Sequence, residues 1–524
     1  MSQLPEVITA LMDPARYPDE RLDEVNLIQT QMSFVLLTGN YAYKIRKPVN
    51  LGYVDYSTLE KRKYFSDKEL ILNRRLCPDT YIEVMPVVRR NSGIFLGGDG
   101  EIIDYAVRMK RLPSHGMMDR LLENGELTPE MVSAVAAKVA DFHAAAETNA
   151  DISRFGALAT ISGNIDENFD QSRPYIGRAL SQRLFDNLRL YFDAFLKDHG
   201  AIFEHRVAEG HIRDCHGDLY SAHINFGAGD ICIYDCIEFN DRFRYGDTAS
   251  EAAFLAMDLD RYGRADLRQV FVSAYVRSSG DSDLGELLRF YQAYRAHVRA
   301  KVACFKLDDP FVPDYEKAVE LQKARGYFDL ALAYTRKGPR MIIMVGFTGY
   351  GKSSLAEGLA RHQGMFYISS DITRKNLAGI NPAERADEAI AAGLYSREMT
   401  EKTYSAMLAW AEPALQMRES VILDATFLKR SGRESALDLA RRHNAEALII
   451  ECRLDEEELK TRLEKRLSEH TVSDGRWEVY LSQKPGFEPV TEVPIGPNHV
   501  IIDTLKPVDD NLREIIDRLQ FGPN

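Results

Sequence analysis

Two stretches of this chain carry residues whose types and spacing could handle phosphate. Residues 346–353 read GFTGYGKS, a glycine, four residues, then Gly-Lys-Ser, between an apolar run and a helix-forming one. Glycines at such spacing let backbone N–H groups turn inward around phosphate oxygens, and the following helix N-terminus adds partial positive charge. Lys352 can reach the outer phosphates, and the Ser353 hydroxyl can hold a divalent ion. Gly346, Thr348, Gly349, Tyr350, Gly351, Lys352, Ser353 and Ser354 are thus the expected nucleotide cradle. The second stretch is HGDLYSAHINF, residues 216–226, followed by IYDCIEFND. It carries two candidate aspartates, Asp218 and Asp235.

Three further groups accompany the glycine-rich loop. Asp371 stands in SSDITRKNL with Arg374 one helical turn on, and Asp424 ends the apolar run SVILD. In a parallel sheet ligands gather at the carboxyl ends of strands, so both aspartates are expected at the mouth of the loop. There Asp371 could take a proton from an attacking hydroxyl, Arg374 could position the acceptor, and Asp424 could hold magnesium through water. A helix N-cap would also explain Asp371. KTRLEKRLSEH places Arg462 and Arg466 four apart, on one helical face. They read either as a solvated face pairing with Glu464 or Glu469, or as lid arginines that neutralise a transferred phosphoryl group, with Arg476 a third candidate.

GFTGYGKSS, SSDITRKNL, VILDATF and RLEKR together resemble the predicted P-loop kinases, a group similar to phage polynucleotide 5′-kinase, gluconate kinase, chloramphenicol phosphotransferase and zeta toxins. The resemblance covers roughly residues 340–524. It implies transfer of the ATP γ-phosphate to a hydroxyl, with Asp371 as base, and leaves the acceptor open.

HGDL with IYDCIEFND resembles the aminoglycoside phosphotransferase family, which has the protein-kinase-like fold; here the resemblance spans roughly residues 30–305. It implies that Asp218 is the catalytic aspartate and that Asp235 holds magnesium. It also implies an ATP-anchoring lysine, for which Lys44 in YAYKIRK, with Glu69 as ion-pair partner, is chosen over its neighbour Lys47. RMKRLP, residues 108–113, falls where an interlobe hinge would pair with adenine. RYGDTASE resembles the family's helix-opening motif, with Glu251 where an aspartate is more familiar. The family's metal-binding asparagine is expected five residues after Asp218. His223 stands there, and Asn225 is two places late. An imidazole suits manganese better than magnesium, so manganese is the alternative ion at this site.

The elements that must position these residues follow from patterning. SFVLL and YAYKI flank Thr38-Gly39-Asn40, a turn expected to use positive φ at Gly39 and Asn40. YIEVMPVVRR and EIIDYAVRMKRL flank a second turn containing GGDG, and STLEKRKYFSDKELILNRRL between the two hairpins has helical spacing. Residues from about 113 to 335 are mostly helical, apart from a strand-bearing region near 212–240. After a Gly-Pro break near 335–341, strands and helices alternate as in a parallel sheet covered on both faces. The expected organisation is α/β: a sheet lobe over 1–112, a helical lobe over 113–335 and a P-loop domain over 340–524.

A chain of 524 residues with 45% hydrophobic and 28% charged content suits several cores. Its net charge of −13 disfavours a dominant nucleic-acid role. No apolar run suits a membrane span and the N-terminus lacks a signal-peptide pattern, so no membrane partner and a cytoplasmic location are expected. The six cysteines include no CxxC pair, and Cys232 and Cys236 are expected buried and reduced. The leading expectation is an ATP- and magnesium-dependent kinase acting on a small-molecule hydroxyl. Its rivals are a regulatory, non-catalytic N-terminal half and a C-terminal nucleic acid 5′-kinase.

Overall fold

A computed structural model of the chain describes residues 4–521 except 18–19, 21, 91–92, 228, 311, 382–395 and 469–476. Its contacts define two compact units. The first comprises Met1–Ile165, Phe195–Asp258 and Val270–Tyr291, and the second Asp166–Ala194, Leu259–Gln269 and Gln292–Asn524. The architecture is α/β, as the patterning implies. Among the described residues no helix is long and apolar enough to cross a membrane.

The first unit opens with strands β1 (Asn26–Gln29), β2 (Ser33–Leu37), β3 (Tyr41–Arg46), β4 (Tyr81–Arg90), β5 (Gly93–Leu96) and β6 (Glu101–Lys110), in sheet order β1-β2-β3-β6-β4-β5. The paired strands are antiparallel, and Lys44 on β3 lies opposite Val35 on β2 and Val107 on β6. Alternation turns Tyr43 and Ile45 into a core with Leu36, Val87 and Ala106, which leaves Lys44 and Arg46 together on the other face. The helix Leu59–Asn73, capped by the Thr58 hydroxyl, crosses that face and supplies Glu69.

Two expectations for the hairpins need correction. Gly39 and Asn40 do not take positive φ. Glu20 shapes the turn instead, accepting from the Thr38 hydroxyl at 2.7 Å and the Asn40 N–H at 2.8 Å. A long-range carboxylate thus does the work assigned to local conformation. The second hairpin contains an extra strand, so the GGDG turn joins β5 to β6; Gly97, Gly98 and Gly100 there do take positive φ.

Short pairs β7 (Ile212–Asp214) with β10 (Tyr245–Asp247), and β8 (Ile224–Asn225) with β9 (Cys232–Ile233), frame the segment that bears Asp218 and Asp235. The second unit holds β11 (Arg340–Val345), β12 (Phe366–Ser369), β13 (Val421–Asp424), β14 (Glu446–Arg453) and β15 (His499–Asp503). They form one parallel sheet in the order β12-β13-β11-β14-β15. Every residue of β11 is buried, and separate apolar clusters built on Ile342 and Met344 and on Met341, Ile343 and Val345 fill its two faces. The continuous apolar run is what a strand covered on both sides requires.

Candidate functional site

In the second unit the chain leaves β11 at Gly346, whose φ is 141°, and reaches the helix Lys352–Gln363 through Gly349 at 79° and Gly351 at 75°. Gly349 is also required sterically, because a Cβ there would lie 2.7 Å from Leu459 Cδ1. Lys352 curls back, its Nζ donating to the Phe347 carbonyl at 2.7 Å. Asp424, at the end of β13, is buried and lies within electrostatic reach of Lys352, accepts a hydrogen bond from Ser353, and accepts the Tyr367 hydroxyl at 2.8 Å. Burial raises the Asp424 carboxyl above the usual range, against the pull of Lys352 and Ser353.

Asp371 follows β12 inside the helix Ser370–Leu377, whose N-cap is Ser369. The expectation of Asp371 as the cap is therefore replaced. Its carboxylate accepts from Arg374 Nη1 at 3.2 Å and is felt electrostatically at Asp424. Lys352, Ser353, Asp371 and Asp424 thus converge at the carboxyl ends of β11, β12 and β13.

Arg462 pairs with Glu458 at 3.0 Å, one turn earlier, and donates to the Thr504 carbonyl at 2.9 Å; the expected partner Glu469 lies outside the described residues. A partner four residues back satisfies the guanidinium within its own helix. Arg466 lies in the helix Glu456–Ser468, but its side chain, like all of Arg476, falls outside the described residues.

In the first unit Lys44 Nζ donates to Glu69 Oε1 and to Asp235 Oδ1, both at 2.9 Å. Burial alone would lower the ammonium pKa, but Asp235 and Glu69 hold it well above the usual lysine value. Lys47 is elsewhere, its Nζ donating to the Thr30 carbonyl at 2.6 Å. Asp235 adopts φ 62°, a left-handed conformation that aspartate tolerates better than most residues. Desolvation would raise its carboxyl, but Lys44 and then His223 hold it below the usual range.

The two histidines of the 216–226 loop have different partners. His216 is fully buried, its Nε2–H donating to the Tyr234 carbonyl at 3.0 Å while its Nδ1 accepts the Asp218 N–H at 3.3 Å. One ring nitrogen donates and the other accepts, so the ring is neutral, and burial lowers its pKa to about 4. It ties the Asp218 loop to the residue before Asp235. His223 Nδ1–H donates to the Asp218 carbonyl at 2.9 Å. Its Nδ1 also lies 3.6 Å from Asp218 Oδ2, and its Nε2 lies 3.6 Å from Asp235 Oδ2. Asn225 is spent on structure: its amide donates to the Pro113 carbonyl at 2.8 Å and accepts the Gly227 N–H at 2.8 Å.

Groups not singled out as site residues hold this arrangement. Glu251, 1% exposed, accepts the backbone N–H groups of His216 and Gly217 at 3.0 and 2.6 Å, and its other partner is His143 Nε2 at 2.9 Å. Its position in the GDTASE motif was the available signal. Arg75 donates to the Asp214 and Cys215 carbonyls at 2.8 and 2.9 Å. The expected reduced Cys232–Cys236 pair is corrected, since Cys232 forms a disulfide with Cys77 and Cys236 is free and buried. The helix Leu59–Asn73 brings Cys77 beside β9 from 155 residues away, a proximity no local spacing encodes.

A family model described as an AAA domain matches residues 341–490. Uncharacterized protein Rv2004c of Mycobacterium tuberculosis strain H37Rv is 30% identical over 430 residues, covering 82% of this chain and 83% of that protein. The chain belongs to the same family as that mycobacterial protein. Uncharacterized protein Mb2027c of Mycobacterium bovis shows the same identity and coverage. Among solved structures, a gluconokinase from Sinorhizobium meliloti 1021 is 25% identical, covers 35% of this chain and 95% of its own, and has a TM-score of 0.25. The amicoumacin kinase hAmiN, solved with AMP-PNP, Ca2+ and Ami, is 11% identical, covers 58% of this chain and 88% of its own, and has a TM-score of 0.37.

Proposed function

We propose that the chain is an ATP-dependent phosphotransferase with a nucleotide site in each unit, transferring the γ-phosphoryl group to a small-molecule hydroxyl. The proposed organisation remains a kinase-like portion, with a sheet lobe over 1–112 and a helical lobe over 113–335, followed by a P-loop domain over 340–524. The observation that carries the reading is the convergence of Lys352, Ser353, Asp424 and Asp371 at one end of the parallel sheet. A glycine loop alone would bind phosphate. Adding a carboxylate beside the serine and a second, more exposed one makes a site for transfer.

In the second unit Lys352 would exchange the Phe347 carbonyl for the outer phosphates. Asp371 would accept the acceptor's proton as its oxygen bonds to the γ-phosphorus and the bond to the β-phosphate oxygen breaks, giving ADP. Arg374 would position the acceptor against that carboxylate. In the first unit Asp218 would take the corresponding proton, while Lys44 holds phosphate and keeps its bond to Glu69. The oxygen donors Ser353 and Asp424 fit magnesium, and the mixed pair Asp235 and His223 fits magnesium or manganese. A divalent ion at either place would screen phosphate charge.

The test is a screen of metabolite extracts with γ-labelled ATP, using wild type, Lys352→Ala and Asp218→Asn. Products whose labelling depends on Lys352 belong to the second unit, and those that depend on Asp218 belong to the first. Labelling of nucleic acid 5′ ends in place of metabolites would replace the proposed acceptor class. An absence of labelled product that depends on either residue would overturn the reading.

A further inference from the structure

Lys44 is not the only cation between Glu69 and the metal-binding segment. Arg46, two residues along β3, projects from the same face. Its Nη2 donates to Glu69 Oε2 and to Glu238 Oε1, both at 2.6 Å. Lys44 takes the other oxygen of Glu69 and reaches Asp235. Glu69 therefore anchors two parallel cation bridges. One ends on Asp235 and the other on Glu238, three residues further along IYDCIEFND.

The two bridges differ in what can displace them. The Lys44 bridge is open at its far end, the Asp235 side chain being 45% exposed. The Arg46 bridge is closed, with side-chain exposures of 1% for Arg46, 1% for Glu69 and 6% for Glu238. Arg46 Nη1 is taken by the Ser66 hydroxyl at 2.8 Å, and Nη2 also reaches the Phe65 carbonyl at 2.9 Å. Tyr56 donates its hydroxyl to Glu238 Oε1 at 2.9 Å and sets its ring 5.2 Å from the guanidinium. Phosphates and a divalent ion would compete directly for Lys44 and for Asp235. Neither has a route to the buried pair.

We infer that Arg46 and Glu238 are positioning residues: they hold the Asp235 segment against the helix of Glu69 after nucleotide and metal have separated Lys44 from Asp235. The inference rests on the reading of the first unit as a nucleotide site. Without ligands Lys44–Asp235 also braces the segment, so losing the Arg46 bridge has little consequence. With ligands bound, Arg46–Glu238 is the buried ion pair that remains, beside the Cys236 N–H bond to Asn73 Oδ1 at 2.9 Å and the half-exposed Lys68–Asp241 pair, and its loss loosens Asp235 relative to Lys44. The effect falls on metal retention in the nucleotide complex and spares metal-free nucleotide binding.

The experiment uses the full chain carrying Lys352→Ala, to remove the nucleotide site of the second unit, with Mn2+ followed by electron paramagnetic resonance and a fluorescent ATP analogue as nucleotide. Glu238→Gln keeps the shape and the acceptor oxygen for Tyr56 and Arg46 but removes the charge; Arg46→Lys keeps the charge but cannot serve all its partners. Both are expected to weaken Mn2+ binding in the nucleotide complex about tenfold, as loss of groups supporting a metal ligand does, with metal-free nucleotide affinity within about twofold. Unchanged Mn2+ affinity overturns the inference. So does a parallel fall in metal-free nucleotide affinity, or failure of both variants to fold, because either would make the pair merely structural. Asp235→Asn serves as the separate arm: if it retains full Mn2+ affinity, the first-unit reading itself falls.

Discussion

Replacing Glu251 by alanine should release the loop that carries Asp218. The side chain is 1% exposed, and its carboxylate serves the His216 and Gly217 N–H groups and His143. Alanine leaves these buried groups without their acceptor. Each of the three orphaned groups costs about 1–3 kcal/mol, so the total is about 3–9 kcal/mol, a large part of a domain's stability. Glu251→Gln keeps the volume and one acceptor oxygen, and should cost about 1–3 kcal/mol. Both tryptophans, Trp410 and Trp477, belong to the second unit. Tryptophan fluorescence therefore cannot report the effect, and backbone hydrogen exchange over residues 211–225 is the suitable assay. A loss of about 4 kcal/mol corresponds to exchange protection falling by about a thousandfold. A change below tenfold in Glu251→Ala would show that the loop is held by something else.

The same residues set a pH dependence. His216 is held neutral with a pKa of about 4 against an ordinary 6.5. Its contribution to stability is present above pH 6.5 and is lost as pH falls toward 4, about 3 kcal/mol in all. Burial alone would raise Glu251, but its bond with His143 lowers it to about 2 from 4.5, extending the loss between those values. Urea melts of the first unit should weaken steadily below pH 6.5, and a flat profile from 6.5 to 4 would contradict the burial of His216. The Cys77–Cys232 bond closes a span of 155 residues, so its reduction should cost about 5 kcal/mol through the unfolded chain; non-reducing peptide mapping should recover the linked peptides, and finding both cysteines free would refute the pairing. His223→Asn should shift the first site from manganese toward magnesium, measured by nucleotide binding with each ion, and an unchanged preference would remove His223 from the metal site.

What could be read in the sequence was chemistry that depends on local spacing. The 346–353 loop is set by glycine conformation, and the five strands of the second unit show as short apolar runs. Asp218, Asp235 and Lys44 could be nominated because a resemblance supplied their roles. Buried charge was not legible. Arg46 and Glu238 look like any exposed pair in a sequence, yet their carbon stems and heads are enclosed by Tyr56, Ser66 and Glu69. Glu251 was visible as an odd residue in a familiar motif, but its grip on the 216–217 backbone needed the fold. His223 looked like a misfit because position was compared without reach. Its ring spans from the Asp218 carbonyl to within 3.6 Å of Asp235, while Asn225 turns away to Pro113. Glu20 at the β2–β3 turn and Cys77 beside Cys232 are distant partners that only tertiary structure brings together.

The central claim is that one chain carries two nucleotide sites, and equilibrium dialysis with a non-hydrolysable ATP analogue and magnesium counts them. Wild type should bind two nucleotides per chain. Lys352→Ala should lose the one held by the loop after β11, Lys44→Ala should lose the one held beside Glu69 and Asp235, and the double variant should bind none. A wild-type stoichiometry of one, or two sites persisting in Lys44→Ala, would contradict the account.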